Sequence, residues 1–206
     1  FMPRIIVLFL LSCVYLIGGG LIGRWEFEEG AGRRSADLSG RGRPARLLGA
    51  CWAQGEFGGA VKLGYQGMKT TVEIPCLNEL DGTNEMTMSL WAMFDEHSES
   101  YPCLLSAGWS PGGIMFFKNG SSASVRFGKP KAAHWIKEDK WTETQVHLAS
   151  NLPLKKWVHF AVTFKRPTIT TYFNGKKVAT NTNWDYELGI TKPLTLGSVH
   201  FSRSSH

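Results

Sequence analysis

After Gly20 the chain alternates between apolar and polar residues in runs of four to nine, each closed by Gly, Pro, Asn or Asp. That period sends successive side chains to opposite faces of a strand. The runs are Leu21 to Phe27, Ala45 to Gly49, Gly59 to Leu63, Thr70 to Ile74, Met86 to Phe94, Cys103 to Ala107, Gly113 to Lys118, Ala123 to Gly128, Thr144 to Ala149, Trp157 to Phe164, Ile169 to Phe173, Lys176 to Thr180 and Pro193 to Gly197. No long stretch carries helical periodicity. In WVHFAVTF, Val158, Phe160, Val162 and Phe164 share one face, and Trp157, His159, Ala161 and Thr163 share the other. Both faces are largely apolar, which predicts a central strand with His159 as a packed, hydrogen-bonded histidine.

Turn chemistry pairs the strands. YFNGKKV places Asn174-Gly175 between two runs, and FFKNGSSASVRF does the same at Asn119-Gly120. A type I′ hairpin needs positive φ at both central positions, which Asn-Gly supplies, so two such hairpins are expected. Asn119-Gly120-Ser121 also fits the N-glycosylation sequon, although the turn already accounts for the Asn and Gly. Short strands joined in this way predict an all-β fold of two antiparallel sheets packed face to face, a β-sandwich or jelly roll. The stretch Lys129 to Glu143 carries no strand signal and is expected as an excursion on the rim.

The chain has 206 residues, a length that suits one all-β domain. Its 8 Trp, 12 Phe and 5 Tyr exclude a disordered chain. The net charge of +6 raises the question of nucleic acid or an anionic membrane. Much of the excess sits in one segment, Gly32 to Arg46, with Arg33, Arg34, Arg41, Arg43 and Arg46 against Asp37. No aromatic residue is interleaved with those arginines, so the stacking platform of a single-strand binder is missing. A solvated basic loop is expected, and no nucleic-acid partner.

Residues 1–20 are expected to be a signal peptide or membrane anchor. Arg4 precedes the uncharged run Ile5 to Ile17, and Gly18-Gly19-Gly20 follows. Cleavage would give a secreted or cell-surface protein. An uncleaved anchor would make this segment its only membrane contact, since Ile5 to Gly23 is free of charge over about the 20 residues a spanning helix needs. Apolar residues continuing past Cys13 argue against lipidation there. Residues 21–206 then form the folded domain. Cys51, Cys76 and Cys103 lack C-x-x-C spacing, which disfavours zinc. In an exported chain one disulfide among the three is plausible, with its pairing open.

The ordered series RWEFEEGAG, ADLSGRG, GEFGGAVKLGYQGMKTTVEIP, MTMSLWAMF, KKWVHFAVTF with TTYFNGKKVA, and PLTLGS resembles the laminin G-like, pentraxin-like branch of the concanavalin A-like lectin and glucanase fold. The resemblance runs from about Gly20 to Ser198. It implies a non-catalytic binding module for glycans or protein partners, in many relatives with a calcium ion. It places Asp37 at a loop position associated with calcium, for which the plain alternative is an Asx-turn. Related domains continue with a final strand that pairs with the first, whereas this sequence stops at FSRSSH. The resemblance therefore implies a domain lacking its C-terminal strand, with an unpaired edge around Trp25 and Phe27.

Catalytic readings fare poorly. A glycosidase needs two flanking carboxylates, and the E-x-D-x-x-E pattern of glucanases with this fold does not occur. The nearest acidic clusters are Glu26, Glu28 and Glu29, and Asp95 with Glu96. GWSPG matches the nucleophile-elbow pattern, but Pro111 after Ser110 has no N–H for an oxyanion. The six histidines show no H-x-H or H-x-x-x-H spacing. For sugar, the requirement is an exposed aromatic face beside polar groups. Trp109, Trp135 and Trp141, in loop-like segments, are the candidate ligand-binding residues, while Trp25, Trp91 and Trp157 are expected in the core. The function expected is thus extracellular glycan or matrix binding. The alternatives are a structural or protein-interaction domain of a larger envelope protein and, last, a diverged glycoside hydrolase.

Overall fold

A computed structural model describes residues 7–16, 20–64, 70–96, 103–108, 112–130 and 143–197. Their backbone forms strands β1 (Val7–Leu16), β2 (Gly20–Trp25), β3 (Arg34–Ser35), β4 (Ala45–Leu48), β5 (Cys51–Gln54), β6 (Gly59–Lys62), β7 (Thr71–Ile74), β8 (Glu85–Phe94), β9 (Cys103–Ser106), β10 (Ile114–Asn119), β11 (Ser122–Gly128), β12 (Glu143–Ala149), β13 (Val158–Lys165), β14 (Thr168–Phe173), β15 (Lys176–Asn181) and β16 (Leu194–Leu196), with one 3-10 turn at Asn78–Leu80. The first sheet runs β15-β14-β13-β8-β1-β6-β5, with β2 also paired to β1. The second runs β12-β11-β10-β9-β16-β7-β4-β3. The ladders in both sheets are antiparallel, as the tight turns require.

Alternation decides what each strand buries. In β8, Met86, Met88, Leu90, Ala92 and Phe94 are buried while the residues between them stay half exposed. In β13 the buried set is Val158, Phe160, Val162 and Phe164. These side chains meet Ile114, Phe116, Val125, Phe127, Leu194 and Leu196 of the second sheet in one core. Phe127 of β11 spans the gap, its ring centroid 5.8 Å from Phe164 and 6.5 Å from the buried Trp184. Each such aromatic contributes roughly 1.5–3 kcal/mol by leaving water. At one margin the sheets are joined by polar bonds: the Thr171 hydroxyl donates to the His147 carbonyl at 2.6 Å, and the Asn181 amide donates to the Thr144 hydroxyl at 2.8 Å.

The strand runs read from the sequence all appear, within a residue or two of their expected bounds. Four expectations are corrected. The first concerns the open edge expected around Trp25 and Phe27, where Val7–Leu16 stands. Its backbone is a strand inside the first sheet, paired to β8 along one edge and to β6 and β2 along the other. Consequently β2 does not have the open edge expected around Trp25, because Leu11 pairs with Trp25 and Leu16 with Gly20. No helix among the described residues is long and apolar enough to cross a membrane.

The second correction is at Asn119. The last ladder pair is Asn119 with Ser122, so the turn residues are Gly120 and Ser121, and only Gly120, at φ 55°, is positive. That is the signature of a II′ corner with Gly in first place. The expected I′ corner does form at Asn174-Gly175, where φ is 47° and 76°. Third, Cys51, Cys76 and Cys103 are free thiols, so no disulfide joins them. Burial pushes the Cys103 thiol far above its ordinary value and raises that of Cys76. The fourth correction, on Trp91 and Trp157, belongs to the site.

Candidate functional site

Trp109, Trp135 and Trp141, the candidate ligand-binding residues, lie outside the described residues, as do Ser110, Pro111 and most of the expected rim excursion. Asp37 is described. Its Oδ1 accepts the backbone N–H groups of Ser39 at 2.9 Å and Arg24 at 3.2 Å, and its Oδ2 accepts that of Arg43 at 3.2 Å. Partial burial works to raise the carboxyl, but the hydrogen bonds from Ser39, Arg24 and Arg43 outweigh it and hold Asp37 below its ordinary value. It therefore remains ionised while clamping the basic loop. The loop's cations are engaged as well: Arg41 and Arg43 both reach Glu79, and the Trp25 indole donates to the Arg43 carbonyl at 2.9 Å. Among the described residues no group of three His, Cys, Asp or Glu side chains converges.

The described residues do assemble an aromatic site elsewhere. Period two along β8 puts Thr87, Ser89, Trp91 and Met93 on the face away from the core, and along β13 it puts His159, Ala161 and Thr163 on the same outward face. The register aligns His159 with Trp91. Their rings stack with centroids 5.0 Å apart, and Phe57 extends the row at 4.7 Å from Trp91. Tilts of about 50° between successive rings are ordinary for aromatic contacts. Trp91 and Trp157, expected in the core, are only half buried, because alternation placed both on the outward face. Phe57 is 55% exposed, a large apolar side chain held in water by its neighbours.

Two hairpin tips hold the row in place. The β5–β6 tip, Gly55 to Gly58, closes with Gly55 N–H on the Gly58 carbonyl at 2.7 Å, a carbonyl that Gln54 Nε2 also reaches at 3.0 Å. Glu28 braces this tip from below by accepting the Gly59 N–H at 2.8 Å. A Cβ on Gly55 would stand 3.3 Å from Cζ2 of Trp157, so the absent side chain lets that indole lie against the tip. On the other side Asn174 exchanges hydrogen bonds with His159: its Oδ1 accepts the His159 N–H and its own N–H donates to the His159 carbonyl, both at 2.8 Å. Glu56, Phe57, Trp91, Trp157, His159, Asn174 and Gly175 thereby line an open groove of about 550 Å³. Burial lowers the His159 imidazole below its ordinary value, so it is neutral at pH 7.

An aromatic floor edged by an amide, an imidazole and a carboxylate can pack the C–H face of a ring while bonding its hydroxyls. Among the described residues that line the groove there is neither a pair of facing carboxylates nor a nucleophile with a base. The groove was overlooked in the sequence, although parity signalled it: in MTMSLWAMF, Trp91 shares its face with Thr87 and Ser89, the polar side of the strand.

A laminin G sequence profile, described as the Concanavalin A-like lectin/glucanases superfamily, matches residues 66–205. No curated protein matches the sequence. Domain 4 of AbnA, an extracellular arabinanase of Geobacillus stearothermophilus solved with arabinotriose, superposes with a TM-score of 0.62 at 16% identity, over 94% of this chain and 86% of that one. The binding domain of Paraclostridial Mosquitocidal Protein 1 superposes at 0.68 with 13% identity over 93% of this chain. A botulinum neurotoxin DC binding domain solved with SialylT gives 0.62 at 15% identity over 81%. This chain covers 45% and 41% of those two toxin domains, and at such identities the likeness is one of fold.

Proposed function

The chain belongs to a laminin G family of the Concanavalin A-like lectin/glucanases superfamily, and from that premise we propose that it is a non-catalytic module that binds glycans through the groove beside Trp91. The observation that carries the proposal is the row Phe57, Trp91, His159, with a 55% exposed phenylalanine at its outer end. An exposed stack of this kind fits a pyranose or furanose face, and the Asn174 and Glu56 side chains stand where ring hydroxyls would lie. Support by likeness comes from the arabinotriose-bound and SialylT-bound neighbours. The proposal places the module outside the cell, in keeping with the extracellular arabinanase. Trp109, Trp135 and Trp141 stay in it as a second set of aromatic contacts.

A glycan array tests the reading. The chain is expected to retain at least one saccharide class, and Trp91→Ala to lose it by tenfold or more while keeping the melting temperature within a few degrees, since the side chain is outside the core. Silence across the array, or retention unchanged in Trp91→Ala and Phe57→Ala, overturns it. Trp135→Ala on the same array separates the two aromatic sets. Calcium enters the proposal only at Asp37. Calcium added to chelated protein that raises the melting temperature of the wild type, and not of Asp37→Asn, supports a bound ion. No shift leaves Asp37 as the loop's clamp alone.

A further inference from the structure

The groove does not end at His159. The first sheet's register carries its outward face onward in rows that cross several strands. Ser89, Ala161, Tyr172 and Lys177 face one another across β8, β13, β14 and β15. The next row is Thr87, Thr163, Thr170 and Thr180, and beyond it stand Glu85, Lys165 and Thr168. From His159 to Lys165 the strand advances about 20 Å, at roughly 3.3 Å per residue. Over β8, β13 and β14 the two middle rows carry no charge, and their outward residues are half exposed. In the last row the two charges neutralise each other, Lys165 Nζ standing 3.7 Å from Glu85.

We propose that this face is a binding track for a linear, uncharged oligosaccharide longer than a disaccharide, one end stacked in the aromatic groove and the rest running along β13 over the hydroxyls of Thr163, Thr170 and Tyr172. The inference rests on the glycan reading of the groove and extends it to the length and charge of the ligand. Three features argue for a sugar chain over another occupant. Hydroxyl groups donate and accept at once, matching the dual character of sugar hydroxyls. The aromatic row crosses the strands at one end of the face, so a chain leaving it along β13 meets the hydroxyl-bearing rows in succession. Over β8, β13 and β14 the middle rows repay no charge, so an ionic polymer would be desolvated there without a partner, Lys177 standing only at the β15 margin.

Calorimetric titration of the full chain with xylo-, cello- and arabino-oligosaccharides, each from mono- to hexasaccharide, tests the track. Affinity for at least one series is expected to climb with each unit to the tetrasaccharide and then level. Thr163→Val keeps the strand's β-branched shape and is expected to weaken the tetrasaccharide about threefold to tenfold, the loss of one hydrogen bond, while leaving the monosaccharide unchanged. Trp91→Ala is expected to weaken both. A monosaccharide that binds as tightly as the tetrasaccharide, or a Thr163→Val variant that binds every length like the wild type, overturns the track and leaves the groove standing. So does an array on which only charged glycans, or a second copy of the chain, are retained. Loss of all glycan binding with Trp91 and Phe57 intact removes both readings together.

Discussion

Asp37 spends its two carboxylate oxygens on three backbone amides, one from β2 and two from the basic loop. Such bonds to a charged acceptor are strong because the amides would otherwise be left without partners. Asp37→Asn is expected to lower stability by about 1–3 kcal/mol, read by urea unfolding at pH 7. The pH dependence has a fixed sign. With the folded carboxyl below its ordinary value of 3.8, the unfolded state binds more protons as pH falls, so the Asp37 contribution is whole above that value and disappears as pH drops through the folded one. The wild type and the variant should therefore converge in acid. At this scale the sequence was half legible. It offered the Asx-turn role for Asp37, which the hydrogen bonds bear out. It also fixed the parity of Trp91 and Trp157 without revealing which face would be covered. Parity is local, whereas covering depends on where the other sheet lies, and that is settled by contacts far apart in the chain.

The two Gly-containing corners differ at the level of the hairpin. In β14–β15 both Asn174 and Gly175 hold positive φ, and Asn174 also accepts the His159 N–H. In β10–β11 Asn119 is the last strand residue and only Gly120 is positive. Asn174→Ala is thus expected to cost about 1–2 kcal/mol, from the left-handed backbone and a lost hydrogen bond, whereas Asn119→Ala carries no left-handed backbone penalty and is expected to cost less. Chemical denaturation of the two variants checks this, and equal losses would contradict the turn assignment. Strand existence was readable because alternation and Asn-Gly corners are short-range signals. Strands β3 and β5 were not: Arg34–Ser35 is too short to alternate, and Cys51–Gln54 is an edge strand with little to bury. Turn class escaped for a related reason, since FFKNGSS admits two registers and only the ladder chooses between them.

Taken whole, the molecule is two sheets around one core, and β1 is what joins β8 to the β5–β6 hairpin and β2. An uncharged apolar run after an arginine reads the same whether it faces lipid or pairs with strands. Removing residues 1–19 would open the β8 edge and the facing edges of β2 and β6, a template for pairing between chains. Such a chain is expected to elute as oligomers in size-exclusion chromatography where the full one does not, and a monomer of unchanged melting temperature would mean that the sheet closes by other contacts. The order of synthesis gives this arrangement a clock. Val7 pairs with Phe94 and Tyr15 with Thr87, so β1 emerges from the ribosome on the order of ten seconds before its main partner, at about 5–20 residues per second. Throughout that interval it is a nascent apolar segment open to chaperones and to pairing with other chains, and whichever reaches it before β8 decides its fate. Slow codons ahead of residue 85 would lengthen the wait and favour capture, and fast ones would favour the fold.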